Sequence, residues 1–446
     1  MNIPHLRREF LKMLGATGAT LALSPASLMQ AQPPEPASDR VIRCGIIGTN
    51  SRGRAHIKGF AGLPGVEVAA ICDVDTRALK KGMNELKGRG GNAEAFADFR
   101  KLLADPSIEA VSIATPDHWH TPMAILALQA GKAVYLEKPC SHSPREGELL
   151  LEAIAKTKGL VQMGNQRRSF PNMRAAIQEI HDGVIGRPYF ARAWYANHRD
   201  SIGIGKDAAV PDSLDYELWQ GPAPRQPYKD NITPYNWHWF WTWGTGEALN
   251  NGTHEIDICR WALGVEFPTH VTSAGGRYAF EDDWQPPDTQ TISWDFPGRK
   301  TITWEGRSCN GYLSEGLERG VLIHGTKGTA LLEGDNYTAY DRDNKVIRQL
   351  RSGAAGAKGT DTVSSTGPAL DRLHYQNFID AVRGKASLNS PISEGHKSVT
   401  MLQLGNIAWR VGRDLKTDPA NGHVLHDDEA SKLWSRDYEP GWEPKV

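Results

Sequence analysis

The sequence predicts a two-part α/β fold. An N-terminal doubly wound parallel sheet spans residues 41–165, and an α+β half with a large open, mainly antiparallel sheet spans 166–446. Three observations predict it. Short β-branched runs alternate with helical stretches from Val41 to Leu136. A glycine turn, Gly48-Thr49-Asn50-Ser51-Arg52-Gly53, joins the first run to the first helix. Further strand-like runs then cluster between 271 and 333, away from the alternating part. The 446 residues suffice for two or three domains with full cores. A composition of 39% hydrophobic and 23% charged residues reads as globular, and a net charge of −1 provides no basic field for nucleic acid.

In order, 41–48 reads as a buried strand, 54–63 as a helix and 66–73 as a second strand ending in Asp73. Residues 98–104 read as a helix, 108–114 as a strand ending at Thr115-Pro116, and 122–130 as a helix stopped by Gly131. The run Ala133-Val134-Tyr135-Leu136 then delivers Glu137-Lys138-Pro139. Gly164-Asn165-Gln166-Arg167-Arg168 opens the second half, with a helix at 172–182 and an alternating strand at 189–195. Strands follow at 271–278, 288–295, 300–305, 321–324 and 328–333, and helices at 374–382 and 395–414 pack back on the core.

The N-terminus lies outside this fold. Arg7-Arg8-Glu9-Phe10-Leu11-Lys12, a moderately apolar run to about Leu23 and Ser24-Pro25-Ala26 read as a twin-arginine signal peptide over 1–31, with a proline-rich linker at 32–40. The twin-arginine translocase is therefore an expected partner and the periplasm, or another exported location, the expected destination. Five scattered cysteines with no CxxC spacing suit a protein folded before export.

The glycine turn and Asp73 together read as a dinucleotide site. Gly48, Thr49, Asn50, Arg52 and Gly53 form the phosphate turn, in which Asn50 replaces the second glycine and tolerates positive φ. The helix N-terminus then faces the pyrophosphate. Asp73, about twenty residues on, accepts both ribose hydroxyls and repels a 2′-phosphate, so NAD is favoured over NADP. Thr115, Pro116, Glu137 and Lys138 fall at carboxyl ends of strands and flank the nicotinamide, with His120 and Gln166 as further cofactor contacts. His118-x-His120 has no third ligand nearby, so no metal site is expected.

In the second half, 250–261 reads as one helix with Asn250, His254 and Asp257 on a shared face. Four tryptophans between Trp237 and Trp243 suit either a packed core or a carbohydrate wall, and Trp243, Arg167, Asn197 and His198 are candidates for binding sugar hydroxyls.

The glycine turn, Asp73, Ala114-Thr115-Pro116 with His120 downstream, Ala127-Leu128-Gln129-Ala130-Gly131-Lys132 and Glu137-Lys138-Pro139 resemble the glucose–fructose oxidoreductase, inositol dehydrogenase and MocA (Gfo/Idh/MocA) family, from about Val41 to near the C-terminus. The resemblance implies that His254 is the active-site histidine and Lys138 its partner lysine. It also implies that the open sheet face joins subunits in a homo-oligomer. Where the family often has aspartate, this chain has Asn250, which orients a hydroxyl but takes no proton. The base role then falls on His254, with Asp257 placed to orient its ring. The expected activity is an exported NAD(P)-dependent oxidation of a secondary hydroxyl on a sugar, glycoside or cyclitol, with tightly bound NAD. Two alternatives stand beside it. One is an NAD-dependent glycoside hydrolase that works by transient oxidation, elimination and re-reduction. The other is a non-catalytic sugar- or nucleotide-binding protein.

Overall fold

A computed structural model describes residues 40–352 and 368–446. The segment expected to be a twin-arginine signal peptide, 1–31, and nearly all of the expected linker, 32–40, lie outside the described residues. The described residues all belong to one compact unit. Among the described residues no helix is long and apolar enough to cross a membrane.

Six parallel strands form the first sheet: β1 (Ile42–Ile47), β2 (Val66–Cys72), β3 (Glu94–Phe96), β4 (Ala110–Ile113), β5 (Ala133–Leu136) and β6 (Val161–Met163). Their order is β3-β2-β1-β4-β5-β6. Every central strand is buried on both faces, which explains its unbroken apolar run. Winding reverses between β1 and β4, and such a reversal opens a crevice at the carboxyl ends of those strands. Helices α1 (Arg52–Ala61), α2 (Thr76–Lys87), α3 (Phe99–Ala104), α4 (Asp117–Gln129) and α5 (Pro144–Thr157) connect them.

Helix α4 begins five residues before the expected start, because Pro116 caps it and Pro122 lies inside it. Proline has no N–H to donate one turn back. The carbonyl that would have received it, on His118, accepts from the Arg436 guanidinium instead at 2.7 Å.

The second half contributes α6 (Pro171–His181), β7 (Pro188–Ala196), α7 (Tyr216–Gln220), α8 (Gly246–Asn250) and α9 (Gly252–Leu263). Strands β8 (His270–Gly276), β9 (Thr289–Phe296), β10 (Lys300–Arg307), β11 (Arg319–Gly325), β12 (Gly328–Glu333), β13 (Asn336–Asp341) and β14 (Val346–Leu350) follow. Then come α10 (Pro368–Val382), α11 (Ile392–Val411), β15 (Leu415–Lys416) and α12 (Asp428–Lys432). The nine strands are ordered β14-β13-β12-β11-β7-β10-β9-β8-β15, antiparallel except where β10 runs parallel to β7. Helix α9 lies on β7, β10 and β11, and α10 packs on α1 of the first half. Trp304, against Gly252 of α9, and Trp294, whose indole donates to Met401 O of α11, are almost fully buried, so part of the tryptophan excess is core.

The single helix expected at 250–261 is two helices. Asn250 ends α8, Asn251 is a turn residue with φ stretched to −116°, and α9 starts at Gly252. In a continuous helix the His254 N–H would donate to the Asn250 carbonyl. Here it donates to Asn251 O at 3.3 Å, which frees the Asn250 carbonyl for another partner. Asn250, His254 and Asp257 therefore do not form one stripe.

Candidate active site

The crevice at the winding reversal is a cleft enclosing about 1280 Å³, counted out to solvent. Gly48, Thr49, Asn50 and Arg52 line it beside Asp73, Thr115, Pro116, His120, Glu137 and Lys138. The second half closes it with Leu214, Trp219, Tyr235, Trp237, His238 and Asn250.

The turn is built for close backbone approach. Gly48 sits at φ +83°, and a Cβ there would lie 2.6 Å from Ala114 O. A Cβ on Gly53 would lie 1.7 Å from Gly48 O. The positive φ falls on Gly48 and not on Asn50, whose side chain instead accepts from Lys81 Nζ at 3.2 Å. Helix α1 has no acid in its first turn and no side-chain cap, so its N-terminal amides keep their positive character.

Asp73 ends the second strand facing the cleft. Its Oδ2 accepts from Thr49 N at 2.6 Å and its Oδ1 from Asp75 N at 3.0 Å. Burial raises its pKa, and these bonds offset part of the rise. Arg77 is turned away, paired with Asp75 at 2.9 Å. Thr115 Oγ1 is buried in the lining without a partner. A glycine cradle, a cap-free helix start, a carboxylate at ribose position and an orphaned hydroxyl together fit a dinucleotide.

At the other end of the cleft, Lys138 Nζ donates to the Asn250 backbone carbonyl and to Asn250 Oδ1 at 3.1 Å. Burial lowers the Lys138 pKa, against the pull of Glu137 and Asp117. Glu137 lies 4% exposed beneath it. Its Oε1 accepts from Arg52 Nε at 2.9 Å and lies 2.9 Å from His56 Nε2, and Arg52 Nη1 reaches Asp371 of α10 at 3.1 Å. Despite its burial, Glu137 stays ionised, because Arg52 and His56 hold its pKa well below the usual range. Gln166 stands behind it, bonded to Tyr135 Oη at 3.1 Å and to Glu137 at 3.3 Å, outside the cleft lining. His118 and His120 both point their ring nitrogens at backbone carbonyls.

His254 is 8% exposed, is not among the residues that line the cleft, and has no side-chain hydrogen bond among the described residues. Burial, then Lys138, Arg319 and Arg167, push its pKa well below 6.5, so it is neutral at pH 7. Asp257 does not orient it. Arg168 holds both Asp257 oxygens, at 2.6 and 2.9 Å, and Ser398 adds a bond at 2.8 Å. With both oxygens engaged by a buried guanidinium, this carboxylate is held by Arg168 and makes no bond to the His254 ring. Arg167 pairs with buried Glu255 at 2.9 Å. Asn197 bonds Tyr195 Oη at 2.7 Å, and His198 is exposed; neither lines the cleft. Trp243 packs 2% exposed against Trp219, as core and not as a sugar wall.

His238 is the residue that the sequence reading did not single out. It lines the cleft and stacks on Trp237 with ring centroids 3.5 Å apart. Nδ1 lies 2.7 Å from Tyr235 O, and a carbonyl only accepts, so Nε2 carries the lone pair. Burial, with Lys138 nearby, pushes its pKa well below 6.5. Its one signal was its place among the tryptophans of 237–243.

Residues 42–165 match the NAD-binding Rossmann fold of the Gfo/Idh/MocA oxidoreductases, and 213–415 match that family's C-terminal α/β domain. The chain belongs to the Gfo/Idh/MocA oxidoreductase family. It is 32% identical to a levoglucosan dehydrogenase of Pseudarthrobacter phenanthrenivorans over 74% of this chain and 81% of that protein. An inositol 2-dehydrogenase of Rubrobacter xylanophilus is 28% identical over 86% of this chain and 96% of its own. The chain spans about half the length of other relatives it matches. One is a glycosyl hydrolase family 109 protein of Saccharopolyspora erythraea, 31% identical over 43% of this chain and 46% of that protein. A solved levoglucosan dehydrogenase in complex with NADH and levoglucosan shares the fold, with TM-score 0.65 and 19% identity over 84% of this chain and 99% of that one.

Proposed function

We propose that this chain is an exported NAD-dependent oxidoreductase that acts on a secondary hydroxyl of a sugar, glycoside or cyclitol. The observation that carries the reading is the junction of Lys138 with Asn250 at the cleft floor, with His238 in the same lining. Asp73 supports NAD over NADP, because a fixed carboxylate disfavours a 2′-phosphate. Closure of the cleft by Trp219, Tyr235 and Trp237 supports tight retention of the dinucleotide.

The nicotinamide, when bound, supplies the two-electron acceptor for hydride leaving the carbinol carbon. His254 or His238, each with an unprotonated ring nitrogen at pH 7, takes the hydroxyl proton. Lys138 donates an N–H to the oxygen as negative charge develops there. Asn250 holds the ammonium in place and orients the hydroxyl. Arg52 and Glu137 fix the backbone from which Lys138 extends.

The family 109 relative supports a second reading, net hydrolysis of a glycoside through transient oxidation. Export rests on Arg7-Arg8 and the run behind them, and fails if Arg7→Lys/Arg8→Lys leaves secretion unchanged. Assembly through the outer face of the nine-stranded sheet is supported by Phe190, Leu322, Leu331 and Tyr340, half-buried neighbours on that face. A monomer by light scattering would refute it.

The test of activity uses purified mature protein. Its dinucleotide is released and identified, and the protein is incubated with aryl glycosides and free polyols without added NAD. NADH in proportion to enzyme, with a keto product, supports the oxidoreductase. Catalytic aglycone release supports the hydrolase. Failure to bind any dinucleotide overturns both.

A further inference from the structure

A second cavity, of about 1720 Å³ counted out to solvent, lies behind the cleft between 142–144, 241–245, α11 and the C-terminal segment 432–437. Its wall against the cleft is thin: Thr245, which lines this cavity, donates to Asp117, which lines the cleft, at 2.6 Å.

Four polar atoms on residues of this lining are buried without a partner: Ser143 Oγ, His142 Nε2, Gln403 Oε1 and Arg436 Nη1. Three of them are the unspent ends of groups fixed elsewhere, and the Ser143 hydroxyl has no bond at all. Ser143 occupies the cap position of α5 yet makes no side-chain cap bond. Gln403 donates its amide to Ser141 O and Oγ, at 3.0 and 3.2 Å, so its oxygen remains. The His142 ring is neutral, its pKa pushed well below 6.5 by burial and Arg436, and it is also bonded to the Gly244 backbone. Arg436 is anchored through Nε and Nη2 to Glu146 and to the His118 carbonyl that Pro122 leaves free. A buried polar group left without a partner forfeits the hydration it had in the unfolded chain. Four around one cavity, mixing donors and acceptors, match the alternating hydroxyls of a polyol.

Charge narrows the ligand. Arg410 and Lys432 line the cavity with no carboxylate partner among the described residues, and Asp437 is the one acid in that lining. Arg410 is fixed over the Trp241 ring at 5.2 Å. We propose that this cavity is a second, non-catalytic binding site for a polyhydroxylated carboxylate, a sugar acid. The carboxylate meets Arg410, and the hydroxyls meet Ser143, Gln403, His142 and Arg436. The proposal does not depend on the reaction in the cleft.

Calorimetric titration of the NAD-loaded full chain with D-gluconate tests it, with sorbitol and acetate as controls. The expected result is saturable gluconate binding at least tenfold tighter than either control. That binding persists in Lys138→Ala and weakens at least tenfold in Arg410→Glu and in Gln403→Leu. The Arg410 side chain is exposed, so its replacement does not disturb the core. The proposal is overturned by a cavity that holds only water, giving no saturable binding. Sorbitol binding as tightly as gluconate overturns it too, as does binding lost in Lys138→Ala and kept in Arg410→Glu.

Discussion

Lys138 Nζ crosses from the first half of the chain to Asn250 in the second, meeting its backbone carbonyl and, at 3.1 Å, its Oδ1. The contact exists because the helix breaks at Asn251 and gives up one internal bond. A neutral partner leaves the ammonium uncompensated on that side, so burial prevails and its pKa falls. Asn250→Asp adds a negative charge beside it, which favours the ammonium and raises the pKa. The alkaline limb of kcat against pH, where Lys138 loses its proton, is expected to move up. An unmoved limb would assign that limb to another group.

Arg52 joins the phosphate turn, Glu137 and Asp371. Arg52→Gln removes the main cation holding Glu137 ionised. Breaking a buried pair from one side costs about 3–5 kcal/mol of stability. Denaturant melts should show a loss of that order, and kcat should fall with it through disorder of Lys138. Arg52→Lys is expected to restore part of both. Unchanged kcat in a folded Arg52→Gln would separate the network from catalysis.

Asp73→Ser removes the acceptor for Thr49 N and the charge that repels a 2′-phosphate. The preference for NAD over NADP, measured by equilibrium binding, should drop tenfold or more. An unchanged ratio would place ribose recognition elsewhere.

Buried histidines set the acid limit of the fold. His374 and His396 have pKa values lowered from 6.5 to about 4, and His118 to about 3, all by burial. Below 6.5 the unfolded chain takes protons that the folded one refuses, so stability rises with pH up to 6.5 and falls as pH drops toward 4. At roughly 1.4 kcal/mol per pKa unit, His374 alone contributes about 3 kcal/mol to that decline. Thermal melts between pH 8 and 4 should be level above pH 6.5 and fall steadily below it.

The parallel sheet was legible because its strands are buried on both faces and punctuated by glycine turns, and Asp73, Thr115 and Lys138 followed from strand ends. Strands β13 and β14 escaped notice, since Tyr337 and Ala339 alternate with polar residues and β14 is an exposed edge. The break at Asn251 was not legible, because it depends on Lys138 and Arg319, distant in sequence, competing for backbone carbonyls. Asp257 looked catalytic by helical spacing alone. Only the fold shows that Arg168 takes both its oxygens. His238 was hidden for a similar reason: nothing local distinguishes a tryptophan-rich core segment from one edge of a cleft.

The central claim is that Lys138 serves oxidation of a polyol hydroxyl at this cleft. Its most direct test is the initial rate of NADH formation by wild type and by Lys138→Ala, both folded and NAD-loaded, with myo-inositol, levoglucosan and a panel of free sugars. The account predicts NADH from at least one of them with wild type, and a rate lower by about 10²–10⁴ in Lys138→Ala. Equal rates in the two proteins would contradict it.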